Sequence, residues 1–236
     1  MRTKMFASVV GTALAVSAAP ALAATLTIDN FDTNQRVTDV PSGSFVNSSE
    51  VTGSDILGGA RDLSVTNTAF NGDSTDATEL RVAGSALSFS NITDARGEGT
   101  ITYDGVGNAG LGGIDLIIGD NPSFFFEVGD FDREVNITAT VMDTMGGTSS
   151  YSELLTLGFN PNLGFAEFTG NADFGSIDSI EFFVSSTDTQ TAVDGSILSI
   201  SVQADDMAPI PLPASGLLLL GGLGGLTVLR SRRKKA

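Results

Sequence analysis

The chain has 236 residues, 41% of them hydrophobic, and a formal charge of −16, with no cysteine, no histidine and no tryptophan. These absences exclude disulfide stapling, Ser-His-Asp and Cys-His catalysis, the usual zinc, copper and non-haem iron ligand sets, and the commonest ring for stacking a sugar. All 28 acidic residues lie between positions 24 and 208, where only Arg36, Arg61, Arg81, Arg96 and Arg133 oppose them, so that body carries −23 and repels nucleic acid and anionic membrane.

In chain order, Arg2 and Lys4 form a positive start, residues 5–16 are mainly apolar, and Ala21-Leu22-Ala23 is a small-x-small cleavage pattern. This reads as a secretory signal peptide over 1–23, cleaved between Ala23 and Ala24 after passage through the secretion translocon. Residues 24–203 then form one domain, with 204–208 as a linker.

The domain reads as β throughout. Runs rich in Val, Ile, Thr and Phe alternate with Gly, Asn, Asp and Ser clusters. Strands are predicted at 25–28, 36–40, 60–67, 80–82, 86–91, 99–103, 114–118, 123–128, 134–142, 150–157, 165–168, 177–185 and 196–202. Val135, Ile137, Ala139 and Val141 share one face of their strand, and Leu198, Ile200 and Val202 share a face of theirs. Residues 123–128 are apolar on both faces and belong in a sheet centre. Asn71-Gly72, Asp104-Gly105 and Asp194-Gly195 read as tight turns, and Met145-Gly146-Gly147 as a hairpin loop. No segment of the body has a helical period. The fold class expected is all-β, a two-sheet antiparallel sandwich of jelly-roll type.

Catalytic patterns are sparse. Without His or Cys, paired carboxylates are the remaining route, as in glycoside hydrolysis, and with 28 acids some pair meets any spacing by chance. Asp130-Phe-Asp-Arg-Glu134 lacks the spaced ligands of a calcium loop and reads as a solvated turn. Residues 108–113 are Gly-rich, but neither a helix nor a Lys follows, which argues against a phosphate loop. Tyr103 and Tyr151 are the only amphipathic rings available to stack on a sugar.

The end of the chain has three parts. Pro209, Pro211 and Pro213 hold an extended strip. An apolar run of 16 residues, 214–229, follows, somewhat short of the roughly 20 a full span needs. Arg230, Arg232, Arg233, Lys234 and Lys235 then favour the cytoplasmic side. The order of these parts, with Ile210-Pro211-Leu212-Pro213-Ala214 as the motif, resembles the C-terminal sorting signal of PEP-CTERM proteins in the variant whose motif is Val-Pro-Leu-Pro-Ala. The resemblance covers 209–236. It implies a transmembrane sorting helix, an exosortase-type processing enzyme, an inner-membrane-anchored precursor, and a final place in the envelope or extracellular matrix of a Gram-negative bacterium beside exopolysaccharide.

Residues 28–37 and 56–65 look like the first strands of carbohydrate-binding jelly rolls. That second resemblance implies a structural Ca2+ where the first and last strands meet, with Asp29, Asp32 and Asp194 as its ligands; no cofactor is otherwise required. Two roles stay open for this non-enzymatic domain, a structural protein of the matrix and a carbohydrate-binding module of the cell surface.

Overall fold

Pairing of these alternating segments produces two seven-stranded sheets. The computed structural model describes residues 24–43, 45–69, 73, 75–92, 94–155, 160–186 and 191–204. Ala21 and Ala23, Asn71-Gly72, and the tail motif, apolar run and basic residues therefore lie outside the described residues. No helix among the described residues is long and apolar enough to cross a membrane.

The strands are β1 (Thr25–Asp29), β2 (Gln35–Asp39), β3 (Ser48–Thr52), β4 (Ala60–Ala69), β5 (Thr78–Val82), β6 (Leu87–Asn91), β7 (Arg96–Tyr103), β8 (Ser123–Phe131), β9 (Val135–Asp143), β10 (Thr148–Leu155), β11 (Asn162–Gly164), β12 (Thr169–Gly170), β13 (Ile177–Ser186) and β14 (Asp194–Gln203). The first sheet runs β11-β8-β14-β6-β5-β2. β6 covers the first part of one flank of β14, and β1 covers the second part. The second sheet runs β12-β10-β9-β13-β7-β4-β3. Every pairing between these strands is antiparallel, and the chain crosses repeatedly between the layers. The fold is a β-sandwich.

The core fills the space between the sheets. Val135, Ile137, Ala139 and Val141 line the inner face of β9 as their alternation predicts, and all are fully buried. Phe124 and Phe126 of β8 meet Phe182 of β13 edge-on, at centroid distances of 5.2 and 5.0 Å. Each such side chain contributes about 1.5–3 kcal/mol on burial, which is how a domain without cysteine holds together.

The chain departs from its predicted elements at several places. Residues 165–168 form a 3₁₀ turn (Phe165–Glu167), not a strand. A strand would send Phe165 and Phe168 to opposite faces, whereas a 3₁₀ turn eclipses i and i+3 and places both rings in one aromatic cluster, 6.0 Å apart. Residues 114–118 make only an isolated bridge from Ile114 to Ile177, with Leu116 as the buried anchor. A bulge in β14 between Ile197 and Ser199 turns Ile197 inward and leaves Leu198 38% exposed, so Leu198 does not share the face of Ile200 and Val202. Asp194-Gly195 opens β14 and is not a turn. Finally, β3 reads as loop in sequence because Ser48, Ser49, Glu50 and Thr52 are polar, and it forms the edge of the second sheet.

Candidate functional site

Strand alternation determines where the predicted site residues go. Asp29 ends β1 pointing into the sandwich, where Arg61 of β4 and Tyr103 of β7 arrive from the other sheet. Asp29, Arg61 and Tyr103 are all fully buried. Arg61 Nη1 donates to Asp29 Oδ2 at 2.6 Å, and the Tyr103 hydroxyl donates to the same oxygen at 3.0 Å. The Phe31 N–H donates to Asp29 Oδ1 at 2.7 Å. Arg61 also donates to the Thr33 carbonyl at 2.7 Å and to Gln35 Oε1 at 2.8 Å, and its guanidinium stands 5.5 Å from the centre of the Phe31 ring. The Gln35 amide in turn donates to the Ser49 carbonyl at 2.8 Å. Burial pushes the Asp29 carboxyl up, and the Arg61 charge opposes that push. Burial, with the Asp29 charge beside it, raises the Tyr103 phenol well above 10.

The expected calcium ligands are not gathered. Asp29 is engaged as described. Asp32 accepts from the Ser85 hydroxyl at 2.7 Å. Asp194 accepts from the Ser90 hydroxyl. Asp29 lies opposite Ile200, and Asp194 is six residues further along β14, roughly 20 Å at strand spacing. Among the described residues no group of three or more His, Cys, Asp or Glu is placed to hold a metal ion.

The expected sugar-stacking rings are also committed elsewhere. Tyr103 is inside the sandwich, and Tyr151 is half-buried against Phe168, with ring centres 5.9 Å apart. Phe45, by contrast, is 62% exposed.

Phe45 walls a cleft of 280 Å³ on the outer side of the first sheet, at its β2 edge. Arg36 and Thr38 of β2 and Glu79 of β5 form the polar floor; Val40, Ala77 and Ile92 add apolar surface. Register explains the floor, because Thr38 lies opposite Glu79 and Arg36 opposite Arg81. Arg36 Nε and Nη2 donate to Glu79 Oε2 at 2.8 and 2.6 Å, and the Thr38 hydroxyl donates to it at 3.2 Å. Three donors thus gather on one oxygen of Glu79. The Val46 carbonyl accepts the Thr38 N–H at 2.9 Å, which ties the Phe45 loop beside β2. A second open hollow, lined by Asn34, Gln35, Arg36, Arg81, Val82 and Ala83, adjoins it across Arg36.

The carboxyl chemistry does not converge on this cleft. Glu79 is the one carboxylate among its described lining residues. Glu153 is raised by burial and then by the Glu167 charge, but lies on β10 of the other sheet. Asp62 is raised to about 6, by burial and then by Asp104 and Glu50, on the outer face of that same sheet.

No family model and no curated protein matches the chain. Solved structures resemble it at low identity. An agarase is 12% identical with a TM-score of 0.41, over 62% of this chain and 23% of that one. The family 11 carbohydrate-binding module from Clostridium thermocellum, in complex with a β-1,3-1,4-mixed-linked tetrasaccharide, is 12% identical with a TM-score of 0.34, over 80% of this chain and 100% of that one. A xylan-binding module is 11% identical with a TM-score of 0.31, over 68% of this chain and 98% of that one. The chain spans about a quarter of the length of the enzymes among these neighbours. At such scores these likenesses decide neither ligand nor activity, and the sandwich is established by the chain's own strand pairing.

Proposed function

We propose that this is an exported, non-enzymatic surface or matrix module that holds polysaccharide weakly through the Phe45–Glu79 cleft. The observation that carries this reading is the pairing of an exposed aromatic wall with a floor of guanidinium, carboxylate and hydroxyl groups. A pyranose presents an apolar face and a rim of hydroxyls that both donate and accept, and such a cleft offers each a partner. With one exposed ring, affinity per site is modest, and retention comes from many modules meeting one polymer. Glycosidic cleavage needs two carboxyls flanking the bond. Glu79 has no acidic companion among the described lining residues of the cleft.

The ends of the chain support delivery to that place. The 1–23 segment would take the chain through the secretion translocon, and Ile210, Pro211, Leu212, Pro213 and Ala214 would present it to an exosortase-type enzyme while residues 214–229 sit in the inner membrane.

Co-sedimentation with extracellular polysaccharide from the same cells tests the binding. Phe45→Ala and Glu79→Gln are each expected to weaken it about tenfold, equivalent to the roughly 1–2 kcal/mol of one stacking or charge-assisted contact. Equal retention of both variants would reject the cleft. Release of reducing ends by the wild-type protein would reject the non-enzymatic reading.

A further inference from the structure

Arg61 and Asp62 are neighbours on β4, and Tyr103 and Asp104 are neighbours at the end of β7, so alternation sends one member of each pair inward and the other outward. The inward pair converges on Asp29. The outward pair leaves two carboxyls side by side, within hydrogen-bonding reach of each other. Asp62 also lies opposite Glu50 on β3 and opposite Thr102 on β7. Asp62 Oδ2 and Asp104 Oδ1 are both buried, and neither accepts from an ordinary donor. Two such oxygens repel when both acids are ionised; a single proton between them makes one a donor and the other an acceptor.

The geometry points to a proton-operated latch: Asp62 and Asp104 hold one proton in common, and its loss loosens the glycine-rich loop 104–113 from the outer face of the second sheet. The loop is fastened through the same group of acids. Asp104 Oδ2 accepts from Asn108 Nδ2 at 2.8 Å, and Glu50 accepts the Gly107 N–H at 2.7 Å. At the loop's other end Asp178 accepts the Gly112 N–H at 3.1 Å.

Among the described residues the groups facing the pair are acidic. Glu50 faces the pair from β3, Glu181 stands on β13 opposite Thr102, and Asp178 lies earlier on β13. The 3₁₀ turn Leu57–Gly59, which meets the loop where Gly58 approaches Leu111, has no titratable side chain. Arg61 is turned inward, Arg36 and Arg81 belong to the first sheet, Arg96 starts β7 at its far end, and Arg133 lies between β8 and β9. Burial, then Asp104 and Glu50, accordingly lift the Asp62 carboxyl from 3.8 to about 6. The folded chain therefore holds this proton more tightly than the open chain does. The stabilisation is complete below about pH 4 and is lost as pH rises through about 6.

Carboxyl and amide NMR on the full chain tests the latch. Asp62 is expected to titrate near 6, with the Gly107 and Asn108 amides moving at the same midpoint. Asp62→Asn, whose amide can donate without a titrating proton, is expected to abolish that movement and to flatten the fall in Tm between about pH 4 and pH 7 relative to wild type. In Asp104→Asn the Asp62 midpoint is expected to fall below its wild-type value while burial and Glu50 keep it raised. An Asp62 midpoint near 4 in the wild type, or amides that ignore its titration, would overturn the proposal. So would calcium chloride restoring the low-pH loop signals at neutral pH, because the acids would then be a cation site and not a proton bridge.

Discussion

Arg61 is the residue on which the order of one end of the sandwich depends. It shares strand parity with Leu63 and Val65, so its inward direction is readable from the sequence. An inward arginine requires an inward acid, and that requirement was the available signal for Asp29, whose part here is to neutralise a buried guanidinium. The sequence does not say which of 28 acids answers it, because the meeting of β1 with β4 and β7 is a matter of sheet stacking. Removing the cation alone strands a buried carboxylate. Arg61→Met is expected to cost about 3–5 kcal/mol in urea unfolding, and Arg61→Met with Asp29→Leu to recover most of it, since an ion pair taken out whole leaves no unpaired charge. A single replacement as mild as a surface change would show that the pair is not coupled in the folded chain. By its sequence Tyr103 is an amphipathic ring available to a sugar; in the fold its polar end is instead satisfied by Asp29.

Among the elements, β7 shows what alternation reveals and what it hides. The predicted strand started at Gly99, but the observed one starts at Arg96. Gly97 and Gly99 look like breakers in a sequence, yet both face inward and make room for the opposite sheet. A methyl on Gly97 would stand 2.0 Å from Thr78 Oγ1, and one on Gly99 would stand 2.8 Å from a Leu80 methyl. Gly97→Ala is therefore expected to lower stability by about 1–3 kcal/mol despite alanine's better strand propensity, as read from the Tm. An unchanged or higher Tm would mean that the two sheets can move apart at no cost. Long alternating strands such as β9 are legible because apolar residues recur on one face from Val135 to Val141. The edge strand β3, the bulge in β14 and the turn at Phe165 are not, because each is decided by neighbours distant in sequence. The Phe45 cleft was hidden for the same reason: its floor joins β2 to β5, and its wall is a loop whose position depends on the Thr38–Val46 bond.

At the scale of the whole molecule, the signals proposed at the two ends make a prediction about the mature chain. Intact mass of protein from the native host is expected to lack residues 1–23 and the segment beyond the 210–214 motif. Full-length chains that keep Lys234 and Lys235 would remove the sorting half of that claim. The architecture bears on how such a module carries load. β14 ends the domain, and its last residues are bonded to β8 on one flank and to β1 on the other, with the Ala204 N–H closing on the Ala24 carbonyl at 3.2 Å. A pull on the C-terminal end thus runs along an inner strand, and both ladders must shear together. An edge strand pulled outward would unzip one bond at a time. A module moored by that end in flowing water would meet drag along its strongest direction.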